Sequence, residues 1–368
     1  MPYSRNRHKL TSSLILCMGV FALILPTAEI SAQTTQSRTS LEVIALIKQV
    51  GSTAPDWWGS VTLDYPKTLD LSWPVPKQGS PWDPSKNIGQ FVWSIINENP
   101  SKWKQGIRFL HHVLEVNKDN PAILNKTMDA LGNMYYNLHE DWARAAFWWK
   151  KSGARNKVGL ANCYYELGCK SMAMDVLSLY DRDYSRNCAV IKLYSDMGEL
   201  AKAMELVKQR VAAGAPLSAY IAAGDACRQA GRYKTALKYY RRALAAKNAS
   251  GREIDNELNV KRAQASIEAV QLFDDLDLAV IPDGTYKGSS ISYAGMLNLE
   301  VVVKAGRIDA INIKQHEDKQ FFSALTATPR KIIAKQSIKG VDAVTGATIT
   351  SEAIINATAK ALASGMKQ

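Results

Sequence analysis

Apolar residues occupy every odd position of Leu297-Asn298-Leu299-Glu300-Val301-Val302-Val303, the alternation of a strand with one face buried. Lys304-Ala305-Gly306-Arg307 supplies a Gly-containing turn, and Ile308 to Ile313 returns as a second strand. Further on, Thr350 or Ser351 can cap a final helix whose Ala353, Ile354, Ile355, Ala357, Ala361 and Leu362 suit a buried face, with Gly365 near its end. Between about residues 100 and 246 a longer period takes over. Small residues open alternate helices at Gly106, Ala145, Ala173, Ala203 and Ala236, the last three intervals being 28, 30 and 33 residues. The clearest unit runs from Ala223-Gly224 through Gly231-Arg232-Tyr233 to Ala236, Tyr240 and Ala243. Small residues recur where paired helices must approach closely, while Tyr and Leu fill the adjoining space. Thr39-Ser40-Leu41-Glu42 has capping-box form and predicts a short helix to about Val50. Glu253 to Phe273 predicts a last helix closing the array, and Asp274, Asp275 and Asp277 mark the boundary that follows.

The period and the small residues resemble degenerate tetratricopeptide repeats, about four or five of them, which stack into an α-solenoid. Such an array offers a groove expected to dock a partner protein or peptide; the plainer alternative is a spacer. Trp142, Phe147, Trp148, Trp149, Tyr239 and Tyr240 fit the repeat core better than a binding face. Residues 51–90 mix Trp57, Trp58, Trp73 and Trp82 with Pro55, Pro66, Pro74, Pro76, Pro81 and Pro84. That composition predicts an irregular, aromatic-packed cover over the first repeat.

The chain's beginning changes the setting. Arg5, Arg7 and Lys9, the apolar core Leu14 to Leu25, and Ile30-Ser31-Ala32 read as an export signal over residues 1–32. The apolar run is short of the roughly 20 residues that span a bilayer, so cleavage after Ala32 is expected rather than an uncleaved anchor. Bulky Leu16 before Cys17 argues against a lipoprotein. An extracytoplasmic (periplasmic) protein is expected. In that setting a net charge of +12 points away from nucleic acid. It favours an anionic membrane surface or an acidic partner, although scattered charge also suits a merely soluble surface. Besides Cys17 the cysteines are Cys163, Cys169, Cys188 and Cys227. Their spacing excludes attached c-type haem and zinc or iron–sulfur arrangements. Core thiols are expected; an oxidising compartment would permit one disulfide.

The chemistry is concentrated in Asp342-Ala343-Val344-Thr345-Gly346-Ala347-Thr348, continued by Ile349-Thr350-Ser351-Glu352. Gly346 and Ala347 leave room around a secondary hydroxyl that a phosphate can esterify. The run resembles the flavinylation motif D-x-x-(S/T)-G-A-(T/S) of the FMN-binding domain family, whose members occur within sodium-pumping NADH:quinone oxidoreductases and Rnf-type electron-transport complexes. About sixty residues upstream, Asp283-Gly284-Thr285-Tyr286-Lys287-Gly288 resembles the family's D-G-x-Y-x-G opening, and His316-Glu317 falls where members carry a His or Lys followed by Glu. The resemblance covers about 281–368.

It implies FMN held covalently through a phosphoester on Thr348, installed by a flavin transferase for which this chain is substrate. Phosphoryl transfer needs an accessible acceptor, charge neutralisation and in-line geometry. The resemblance assigns Asp342 to recognition or loop shape, and Thr345, Gly346, Ala347, Thr350 and Ser351 to the loop and helix start around the phosphate, which the helix dipole would favour. Tyr286, Tyr293, Met296, His316 and Glu317 are candidates to line the ring; strand packing or a solvated loop are their alternatives. The expected organisation is a signal (1–32), an N-terminal helix with a Trp/Pro-rich cap (33–99), tetratricopeptide-like repeats (100–278) and a small α+β FMN-binding domain (279–368). The expected role is an exported electron carrier, not itself an enzyme, relaying electrons between a membrane or extracytoplasmic redox protein docked on the repeats and an acceptor. The alternatives are an interaction scaffold whose FMN-binding-like domain is not redox-active, and a reductase. The reductase is disfavoured by the lack of a nucleotide-binding Gly-rich fold or a second cofactor motif.

Overall fold

A computed structural model describes residues 37–153, 156–179, 188–246, 253–318, 322–344 and 347–367. The predicted signal over 1–32, and Thr345 and Gly346 of the motif, lie outside these residues. The described chain is helical up to residue 272 and carries a small antiparallel sheet in its last quarter.

Helix α1 (Ser40–Gly51) starts in the predicted capping box: the Thr39 hydroxyl accepts from the Glu42 N–H, and the Glu42 carboxylate accepts from the Thr39 N–H. The Trp/Pro-rich segment that follows has a short helix, α2 (Ile88–Phe91), and otherwise runs in turns over α3 (Trp103–Val116) and α4 (Pro121–His139). Asn117 donates to the Leu71 carbonyl at 2.8 Å and Lys126 to the Trp73 carbonyl at 3.3 Å, so side chains of the helices satisfy backbone that no sheet or helix uses.

Then come α5 (Trp142–Lys151), α6 (Lys157–Glu166), α7 (Lys170–Ser178), α8 (Cys188–Asp196), α9 (Leu200–Ala212), α10 (Pro216–Gln229), α11 (Tyr233–Leu244) and α12 (Glu253–Leu272). They pack as consecutive pairs, α4 with α5, α6 with α7, α8 with α9 and α10 with α11, and α8 also lies against α6 and α10. Ala145, Ala173, Ala203 and Ala236 are each the fourth residue of the second helix in its pair, and all are wholly buried. Five residues before each, the chain enters the left-handed region, at Glu140, Gly168, Gly198 and Gly231. The next N–H then closes a Schellman-type turn, as Cys169 to the Tyr164 carbonyl (2.9 Å), Glu199 to Tyr194 (2.8 Å) and Arg232 to Cys227 (2.8 Å). One turn chemistry thus sets the angle of each pair. Close approach explains the glycines inside the helices: a Cβ on Gly224 would lie 2.3 Å from the Tyr240 ring.

The sheet has the order β1 (Gly284–Ile291), β2 (Met296–Lys304), β3 (Arg307–Gln315). Leu297, Leu299, Val301 and Val303 are buried, as the alternation predicts. Ala305 and Gly306 both have positive φ, giving the turn that matches strand twist, and the Asp283 carboxylate accepts from the Ala305 N–H at 2.7 Å. Two helices complete the domain. Helix α13 (Phe322–Lys335), which the sequence pattern does not predict, packs on β3 and carries Pro329 inside it. Helix α14 (Thr348–Gly365) lies across β1 and β2 and also touches α12 and α13. It is buried continuously from Thr350 to Ala359, whereas the sequence suggested burial on one face. At Gly288 the strand and helix come so close that a Cβ would stand 2.0 Å from the Ala357 carbonyl oxygen. No described helix is long and apolar enough to cross a membrane.

Candidate functional site

The loop from Val341 to Ala347 carries the motif from α13 to α14, and the helical array holds its acidic residue. Lys192 of α8 reaches the Asp342 carboxylate at 2.5 Å and also pairs with Asp196. Gln229 of α10 donates to the same two carboxylates, at 3.0 and 2.9 Å. Lys331 of α13 approaches Asp342 to 4.0 Å. Burial would raise the Asp342 carboxyl, but Lys192 and Lys331 outweigh it and hold it below the usual range. Asp196, more deeply enclosed, is pushed up to about 7 by burial and by Asp342, against the pull of Lys192. Two acids share one ammonium group, so they are driven apart in acidity.

Two motif hydroxyls face into the domain. Ser351 accepts from the Thr328 hydroxyl and from the Val344 N–H, both at 3.0 Å, tying α13 and the loop to α14. Thr350 donates to Asp318 at 2.6 Å. Asp318 also accepts from the Ser292 hydroxyl (2.6 Å) and the Ala294 N–H (2.8 Å), so it joins the β1–β2 loop to the start of α14. Sequence reasoning missed Asp318, because an Asp just after a strand reads as an ordinary turn residue.

Thr348 is placed differently. It is the first residue of α14 and is half-buried; Ala347 precedes it as the N-cap, and no side chain caps the helix. The leading N–H groups of such a helix lack intrahelical partners and carry its positive end. Thr348, Ala347 and Ile349 border a cavity of about 200 Å³. Its opposite wall is Cys188, Ala189 and Lys192 of α8, Ser218, Ile221, Ala222, Asp225 and Ala226 of α10, and Asn259 and Arg262 of α12. Tyr293 of the β1–β2 loop closes one side, held by Arg262, which donates to the Tyr293 carbonyl at 2.7 Å and the Ser292 carbonyl at 3.1 Å. Burial pushes the Asp225 carboxyl up to about 8, helped by the charge of Glu352, while the Tyr240 hydroxyl donates to it at 2.8 Å.

Of the other residues singled out from sequence, Tyr293 borders this cavity and Tyr286 is buried elsewhere, its hydroxyl donating to the Pro282 carbonyl at 2.7 Å. Met296, His316 and Glu317 are not among the cavity's lining residues. His316 is half-buried, its Nδ1 3.1 Å from the Asp318 carbonyl oxygen. Glu317 is exposed and lies over Gly295, where a Cβ would meet its carboxylate at 2.5 Å. Cys163, Cys169, Cys188 and Cys227 are all free thiols.

Thr348, at a helix start that no side chain caps, thus borders a largely apolar cavity. Residues 292–363 match the FMN-binding domain family, so the chain carries an FMN-binding domain there. A Treponema pallidum (strain Nichols) protein, described as uncharacterized, is 38% identical over 86 residues, which are 23% of this chain and 24% of that protein. The match thus spans about a quarter of the relative's length. No solved structure matches the chain.

Proposed function

We propose that the protein is an exported electron carrier whose FMN is joined through its phosphate to the Thr348 hydroxyl by a separate flavin transferase. The observation that carries this reading is the contrast among the motif's described hydroxyls. Thr350 and Ser351 are buried in bonds to Asp318 and Thr328, while Thr348 stands at the helix start beside the cavity. The residues suit the group. The α14 N-terminus favours a phosphate, Arg262 adds positive charge, and Ile221, Ala222, Ala226 and Ile349 offer apolar walls to a flat ring. When bound, the flavin takes up and passes on one or two electrons. The chain's part is to fix the acceptor hydroxyl, place donors by the phosphate and shield the ring.

The residues before 33 support export, and the repeated turn before each buried alanine supports degenerate tetratricopeptide repeats. On this reading a redox protein docks on the array. The first helices of three pairs already meet the C-terminal domain, through Glu140–Arg330, Lys192–Asp342 and Arg228–Glu352.

Intact-mass measurement of protein made alongside an active transferase tests the reading. One FMN is expected per chain, lost in Thr348→Val and kept in Thr350→Val and Ser351→Ala variants that melt cooperatively. An unmodified, folded wild-type chain would leave the scaffold alternative.

A further inference from the structure

The array does more than carry the C-terminal domain: three of its helices face the acceptor hydroxyl. Helices α8, α10 and α12 supply most of the cavity wall beside Thr348, and the domain itself supplies Tyr293 and the first residues of α14. The polar groups in that wall are held by protein partners. Lys192 is engaged by Asp196 and Asp342, Asp225 by Tyr240, and Arg262 by the carbonyls of the β1–β2 loop. Such mutual anchoring fixes the wall before anything enters it. Thr350 and Ser351 bond on the other side of the first turn of α14, and Thr348 is the motif hydroxyl residue that lines the cavity.

We infer that the helical array forms half of the cofactor site, with the isoalloxazine ring of an FMN on Thr348 lying against Ile221, Ala222 and Ala226 of α10. The inference rests on the attachment proposed above. The cavity's size bears on how the ring sits. At about 200 Å³ it is smaller than the roughly 300–1,000 Å³ of sites that bury a drug-sized ligand, so it takes part of the cofactor and leaves an edge towards solvent. A ring held in this way is shielded on one face by the array and open to a partner on an edge.

The test uses full-length, flavin-loaded protein and reads iodide quenching of flavin fluorescence, with intact mass reporting attachment separately. Wild type is expected to quench several-fold less than the same protein in denaturant. Ile221→Ala, which opens the wall, raises quenching; Ala222→Leu, which fills it, displaces the ring and changes quenching and the visible circular dichroism. Lys208→Leu, on the exposed face of α9, changes neither. Ile221→Ala removes only side-chain volume and keeps the test decisive should Ala222→Leu fail to fold. Attached flavin that quenches as in denaturant, or that ignores both wall substitutions, overturns the inference and leaves the attachment standing. A wild-type chain without the FMN mass overturns the attachment and the inference with it.

Discussion

Arg228 of α10 and Glu352 of α14 form an ion pair inside the protein, their side chains 1% and 9% exposed, and it joins the helical array to the helix that begins at Thr348. The pair is under-satisfied: Arg228 Nε and Nη1 and the second Glu352 oxygen have no hydrogen-bond partner in the described structure. Burying charge this way gives orientation more than stability. A wrong seating of α14 would leave both charges unpaired.

Removing one member of that pair is therefore expected to cost about 3–5 kcal/mol, because it strands the other charge. Arg228→Met and Glu352→Leu should each lower the urea midpoint, while the double variant recovers most of the loss. Additive losses in the cycle would show that the two do not interact.

Asp342 is held by Lys192 at 2.5 Å, so Lys192 should act on the motif from outside it. Lys192→Met is expected to reduce flavin loading about as much as Asp342→Asn, since either change frees the loop from α8. Full loading of Lys192→Met, measured by intact mass, would mean that Asp342 works through other contacts.

Thr350 and Thr348 separate stability from attachment. Thr350→Val deletes a 2.6 Å bond to buried Asp318 and is expected to cost about 1–3 kcal/mol. Thr348 is half-buried, and Thr348→Val should fall within about 0.5 kcal/mol of wild type in the unmodified protein. Equal losses in chemical denaturation would contradict the assigned burial.

Two buried acids should contribute stability that is lost as pH rises from near 4 to 8, offset up to about pH 6.5 by His111, which burial holds at about 4. Asp196 and Asp225, ordinarily near 3.8, stand at about 7 and about 8 in the folded protein, so the native state keeps protons that the unfolded chain has released. Asp342 has the opposite sign: its contribution is present above the ordinary value and lost in more acid solution as its lowered carboxyl protonates. The groups facing Asp196 include Lys192, Gln229 and Asp342; those facing Asp225 include Arg228, Tyr240 and Glu352. The melting temperature is expected to drop between about pH 6.5 and 8, where the histidines no longer offset the acids, and Asp196→Asn with Asp225→Asn should flatten that slope.

Local chemistry made much of this legible. The alternation at 297–303, the turn at 304–307, the Thr39–Glu42 box and the recurring small residues each report a constraint that neighbours in sequence impose. The strand and hairpin positions and the pairing of helices around Ala145, Ala173, Ala203 and Ala236 follow from them. Helix α13 escaped because Pro329 and the flanking Thr326 and Thr328 weaken its helical signal; packing on β3 and α14 supplies what propensity lacks. His316-Glu317 drew attention through resemblance, while the neighbouring Asp318 anchors both Ser292 and Thr350.

The sequence by itself determined the strands, the hairpin turn and the FMN-binding domain match, because strand alternation, turn geometry and a short motif are encoded within a few residues. Only the tertiary structure decided which hydroxyl stays accessible, what neutralises Asp342, and what stands across from Thr348. Those answers depend on residues more than a hundred positions apart, as in Lys192 with Asp342 and Arg228 with Glu352. Nothing in the local pattern fixes such distances; the packing of α14 between the sheet and the array does.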